Sequence, residues 1–157
     1  MSAQSIYDQA PIGALIRYSD GTPRPPQRFK NKLAAWDNNN NVGRLVRKAE
    51  SHTVGNHTTP ESFTLHQGDF GSAGVVVLKV FKTFSVGSPL AFTIEERPTS
   101  GMVRVLDRTG GRAELLHLAA DRPAALAWLA THRYSDAVLD EVIDDDTAAG
   151  SGEGRAA

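Results

Sequence analysis

The chain predicts an α+β domain: mainly an antiparallel β-sheet or partly open barrel of about six to eight strands, with one C-terminal amphipathic helix packed on it. Three observations carry this. From Val42 onward, apolar residues recur at every second position in short runs. Those runs are separated by Gly, Pro, Asn and Ser at spacings typical of antiparallel strands. A single strong helix start, Asp121-Arg122-Pro123, follows the last of them.

Taken in order, residues 1–11 hold no sustained period and are expected to be a flexible N-terminus ahead of one globular region, 12–143. Residues 13–18 mix β-favouring side chains and stop at Asp20-Gly21, a dipeptide suited to a turn. The segment 22–27 is extended, because each Pro fixes its own φ and moves its predecessor out of the helical region. Residues 28–36 then suit a short helix with Phe29, Leu33 and Trp36 on one side, ending in the Asp37-Asn38-Asn39-Asn40-Asn41 turn.

Strands are expected at 42–48, 62–67, 75–84, 90–95, 102–107 and 113–119. In 90–95 the alternation is cleanest, and Leu90, Phe92 and Ile94 share the face to be buried. Residues 75–84 open with Val75, Val76, Val77 and Leu78, which places this strand at the sheet centre with both faces covered. The polar stretch between Lys48 and Ser62 has neither period and reads as a loop, while Gly110-Gly111 makes 102–119 a β-hairpin. Beyond Asp121, a helix directs Ala125, Leu126, Leu129 and Ala130 to the sheet with Trp128 beside them, and His132 and Arg133 close it. Residues 137–143 fit a final strand slightly better than a helix. The acidic, small-residue tail 144–157 has too little apolar surface to order itself.

Composition excludes several chemistries. With no cysteine among 157 residues, thiolate nucleophiles, disulfide scaffolds and cysteine-held zinc are absent. The N-terminus has no basic or apolar leader and no run spans a bilayer, so a cytoplasmic protein without a membrane partner is expected. His52, His57, His66 and Asp69 are a conceivable ligand set, but no two of the five His stand four apart as helical ligands would. No metal, cofactor or catalytic residue is therefore assigned. Asp69-Phe70-Gly71 copies the kinase metal-binding tripeptide without the rest of a kinase, and Gly68, Gly71 and Gly74 open a strand instead of a helix. A glycine-rich turn or a bulge explains them better. Ser72 lacks the strand-to-helix setting of a nucleophile elbow, and Pro23-Arg24-Pro25-Pro26-Gln27-Arg28 reads as a rigid connector sooner than as a polyproline ligand.

Charge is uneven beneath a formal net charge of −1: residues 1–50 carry eight Lys/Arg against four acids, and residues 134–157 seven acids against one Arg. Arg24, Arg28, Lys30, Lys32, Arg44, Arg47 and Lys48 face one acid, Asp37, with Phe29 and Trp36 between them. Cations that hold phosphates beside rings that stack bases are the minimal equipment of a nucleic-acid surface, so Trp36 and these seven cations form the candidate binding set. The alternative is that Phe29 and Trp36 are core anchors whose outer side the cations solvate. A helix-turn-helix at 121–143 is disfavoured by the charges of Asp136, Asp140 and Glu141.

The segments Ile12-Gly13-Ala14-Leu15-Ile16-Arg17-Tyr18-Ser19-Asp20-Gly21-Thr22-Pro23-Arg24-Pro25-Pro26, Phe63-Thr64-Leu65-His66-Gln67-Gly68-Asp69-Phe70-Gly71-Ser72-Ala73-Gly74 and Leu115-Leu116-His117-Leu118-Ala119-Ala120-Asp121 resemble, over most of 6–143, a family of uncharacterised accessory proteins encoded on plasmids and other mobile elements of alphaproteobacteria. The resemblance implies a genomic setting and no chemistry. The expectation is a non-enzymatic accessory protein that binds DNA or RNA, or a protein complex acting on them, through the 24–48 surface. Alternatives are an inhibitor of a host defence system that mimics phosphate with Asp136, Asp140, Glu141 and Asp144-Asp145-Asp146, and a small β-barrel enzyme or ligand carrier.

Overall fold

A computed structural model describes residues 1–72, 75–108 and 113–143. Among these, helix α1 (Ala3–Gln9) precedes β1 (Leu15–Ser19), α2 (Lys30–Asn39), β2 (Asn41–Ala49), β3 (His52–Val54), β4 (His57–Thr59), β5 (Ser62–Ser72) and β6 (Val75–Ser85). Strands β7 (Ala91–Glu96), β8 (Val103–Leu106) and β9 (Leu115–Ala119), helix α3 (Arg122–Thr131) and strand β10 (Val138–Glu141) complete the order. All pairings are antiparallel: a five-stranded sheet β6-β5-β2-β1-β7, a three-stranded sheet β10-β8-β9 and the ribbon β3-β4.

The larger sheet is curled. Five strands laid flat would hold β6 and β7 about 19 Å apart, at about 4.8 Å per step. Yet the rings of Phe84 on β6 and Phe92 on β7 lie 5.3 Å apart, edge to face. Phe63 of β5 completes the contact at 5.7 Å from Phe84 and 5.4 Å from Phe92, and Tyr18 of β1 lies 4.9 Å from Phe84. These inward rings fill a trough with Ile16, Leu45 and Leu65. The trough stays open as a barrel, since β6 and β7 share no hydrogen-bonded pairing.

Bending is eased at two places on the middle strand β2. A β-bulge lies between Leu45 and Arg47 in its pairing with β5. At Gly43 a Cβ would stand 2.8 Å from the Leu65 Cβ and 3.2 Å from the His66 carbonyl, so only glycine permits this approach. Two further register shifts in β5–β6, at His66/Gly68 and Phe70/Gly71, are the bulges expected around these glycines; Gly74 lies outside the described residues.

Several expectations are corrected. The first eleven residues are not a flexible lead: Ser2 caps α1 by accepting from the Ser5 amide at 3.1 Å, and Ala3, Ile6 and Ala10 plug the trough. Their spacing of three and four is a helical stripe too short to stand out. Strand β6 is an edge strand, not the centre, because an apolar run reports that a strand seeks cover on its faces, not how many neighbours it has along the sheet. The supposed loop after Lys48 contains the β3-β4 ribbon, which turns at Gly55 with φ +62 and joins the Thr53 and Thr58 hydroxyls at 3.0 Å. The ribbon is almost wholly exposed, so no apolar period marks it.

The second sheet has its own core of Val103, Val105, Ala119 and Ala125, with Trp128 and Leu129 of α3 and Leu139 of β10 packed on it. The hairpin 102–119 and the final strand are present as read, although 109–112 lie outside the described residues. Asp121 caps α3 through the Ala124 amide at 2.9 Å. The stripe it packs on the sheet is Ala125, Trp128 and Leu129, while Leu126 and Ala130, both assigned to that face, are exposed, Leu126 by 53%. The tail 144–157 lies outside the described residues.

Phe92→Ala is expected to cost about 3–5 kcal/mol in denaturant unfolding, the range for a buried aromatic truncated to alanine. Gly43→Ala, which adds atoms where Leu65 already stands, is expected to cost about 1–3 kcal/mol by the same measurement.

Candidate nucleic-acid interface

Strands β1 and β2 pair directly, with Tyr18 opposite Asn41, so residues 20–40 form an excursion between two neighbouring strands. Its base is latched by Asn40. The Asn40 carboxamide oxygen accepts from Ser19 Oγ at 2.8 Å and the Asp20 amide at 3.1 Å, while its NH2 donates to Asp20 Oδ1 and to the Trp36 carbonyl. The Thr22 hydroxyl, then the Thr22 amide, hold the Asp20 carboxyl below its ordinary value. Trp36 Nε1 donates to the Thr22 carbonyl at 3.0 Å, tying the helix to the extended segment before it. Lys82 reaches from β6 over the rings of Tyr18 and Phe84 to donate to the Asn38 carbonyl at the C-terminal end of α2. Burial pushes its ammonium below the ordinary lysine value.

Above that latch nothing of α2 enters the core, for none of its residues is buried. Arg24, Arg28, Lys30 and Lys32 are exposed, and among the described residues none has a carboxylate partner. Phe29, 41% exposed, carries the Arg28 guanidinium 4.8 Å and the Lys32 ammonium 5.2 Å from its ring centre.

The other candidates are held by the fold. Arg44 Nη1 donates to the Gly13 carbonyl at 2.6 Å, and Arg47 Nε to Thr64 Oγ1 at 3.3 Å. Lys48 lies over the Tyr7 ring at 5.7 Å, where burial lowers its pKa and nearby Asp8 works against that shift. The structure therefore groups Arg24, Arg28, Lys30, Lys32 and Phe29 on one projection, and gives Arg44, Arg47 and Lys48 separate tasks on β2. Trp36 anchors the projection; it belongs to neither core.

At the opposite pole of charge, Asp140 binds Arg104 Nη1 at 2.7 Å, and Arg104 Nε also donates to the Ile12 carbonyl at 2.8 Å. Asp144-Asp145-Asp146 lie outside the described residues. Among the described residues no three His, Asp or Glu gather as metal ligands, and no helix is long and apolar enough to cross a membrane.

One assembly has no counterpart in the sequence reading. The rings of His117, His132 and Tyr134 lie 5.0, 4.0 and 5.7 Å from that of Trp128, all within 8° of parallel. They come from β9, α3 and the segment after it, and only Trp128 and His132 have a sequence relation, one helical turn, that would have paired them. His132 Nδ1 and the Thr131 hydroxyl both donate to the Trp128 carbonyl, which closes the helix.

Fold and surface define a mixed α+β protein that carries a basic projection on a curled antiparallel sheet. The chain belongs to the family described as uncharacterised conserved protein UCP036055, whose model matches residues 1–146. No curated protein and no solved structure matches it.

Burial, and then His132, lower the His117 pKa from its ordinary 6.5. The unfolded chain then binds more protons than the folded one between the two values. The stability this neutral imidazole contributes is full above about pH 6.5 and is lost as pH falls through the depressed folded value. Melting temperature is expected to drop between about pH 7 and pH 5, and to drop less in His117→Gln.

Proposed function

We infer that this chain is a non-enzymatic binding protein that takes nucleic acid by its phosphates onto α2 and the extended segment before it. One observation carries the reading: four exposed cations without carboxylate partners among the described residues share a projection that buries nothing in the core, two of them, Arg28 and Lys32, over an exposed ring. Cations without carboxylate partners can neutralise phosphates, and each such contact releases counterions condensed on the nucleic acid with a gain in entropy. The projecting ring offers a face for an unpaired base. The resemblance to plasmid accessory proteins supports a setting on a mobile element, where DNA or RNA, or a complex handling them, is at hand. Acidic mimicry has less to work with, since Asp140 is already neutralised by Arg104.

Mobility-shift titrations with single- and double-stranded DNA and with RNA, each at several salt concentrations, test this. Binding is expected to weaken with salt, and the triple change Arg28→Ala, Lys30→Ala and Lys32→Ala to flatten the log–log slope by roughly one for each lost phosphate contact. Phe29→Ala is expected to cost about 1–3 kcal/mol of single-strand binding while the melting temperature holds. Unchanged affinity and slope in the folded triple variant would overturn the reading.

A further inference from the structure

Where α3 ends, Leu129, His132, Arg133, Tyr134, Ser135 and Ala137 line an open cleft of about 410 Å³. This is within the size range of small-molecule sites, roughly 300–1,000 Å³. Its walls are chemically unequal. One is the parallel ring array that starts at His117 and Trp128 and reaches the cleft at His132 and Tyr134, the tyrosine being 40% exposed. The lining also includes Arg133, with no carboxylate partner among the described residues, and Ser135. Among the described residues no Asp or Glu lines the cleft.

Stacked rings prefer another flat π-system to water. A guanidinium beside such a surface recognises an oxyanion through its planar set of donors. We propose that the cleft at the end of α3 binds a nucleotide, its base laid against the Tyr134 and His132 end of the array and its phosphate held by Arg133. Ser135 lines the same cleft and would add a hydroxyl donor. The array belongs to the second sheet, whose core is separate from that of the curled sheet, so this site does not depend on the α2 surface.

The nucleotide has two possible sources, free or as a unit of a single strand. Calorimetric titration of the full chain with adenosine monophosphate, adenosine and inorganic phosphate separates base from anion. An oligo-dA strand, titrated into the Arg28, Lys30, Lys32→Ala protein, gives the second source without the α2 surface. The monophosphate is expected to bind more tightly than adenosine or phosphate alone. Arg133→Ala and Tyr134→Ala are each expected to weaken it about tenfold or more, with Tyr134→Phe, which keeps the ring, retaining it. Both positions are exposed, so the melting temperature of each variant confirms folding. Strand binding without monophosphate binding, lost in the same two variants, supports the site with the strand as its source. Silence in both titrations, or binding that survives Arg133→Ala and Tyr134→Ala, overturns it, whatever the α2 variants do.

Discussion

The meeting of Phe84 and Phe92 across the trough is the contact on which the rest of the larger sheet depends. A five-stranded sheet with one apolar face needs a second layer, and among the described residues the two turns of α1 are the helix packed on it. Curling replaces the missing layer with the sheet itself. Phe63, Phe84 and Phe92 then cover one another, Tyr18 closes one side, and Ala3, Ile6 and Ala10 need fill only what remains. The curl also sets the demand for Gly43 and for the bulge in β2, because a middle strand with a full side chain and regular pairing would keep the edges apart.

That geometry explains why the basic residues separate. On β2 a cation has a backbone carbonyl, a hydroxyl or a ring within reach, and Arg44, Arg47 and Lys48 each take one. The excursion of residues 20–40 starts and ends on adjacent strands and its apolar side, Phe29, Leu33 and Trp36, reaches neither core, so it leaves the sheet once Asn40 and Trp36 have secured its base. Among the described residues the cations beyond the latch have no carboxylate partner, and Arg28 and Lys32 lie over the Phe29 ring. Their availability follows from topology as much as from charge.

Alternation in 90–95 and the β-branched content of 137–143 report local needs, which is why those strands, and the hairpin at 102–119, stand where the residues indicate. Asp121 announces its helix because a cap is a contact within one turn. What the chain withholds is set by partners distant in sequence. Phe84 and Phe92 are as apolar in a flat sheet as in a curled one, and nothing in Val75-Val76-Val77-Leu78 says whether a strand has one neighbour or two. Asn40 sits unmarked in a row of four asparagines until Ser19 and Asp20 are beside it. Neither does His117 declare a connection with Tyr134, since the ring that joins them stands on α3.

Two cores in one chain also decide how far a local change travels. Tyr18, Phe63, Phe84 and Phe92 make one cluster; Val103, Val105, Ala119 and Ala125 make another. Arg104 links the two through the Ile12 carbonyl on one side and Asp140 on the other, from a side chain only 6% exposed. Cutting that link would leave a guanidinium buried with fewer partners, a larger penalty than loss of a surface pair. The two sheets also meet where Gly13 lies against Leu118 of β9, and it is residues without shared partners whose changes combine almost additively. Phosphate contacts on α2 and ring stacking on α3 can therefore vary separately, and one chain of this size can offer two surfaces of different chemistry.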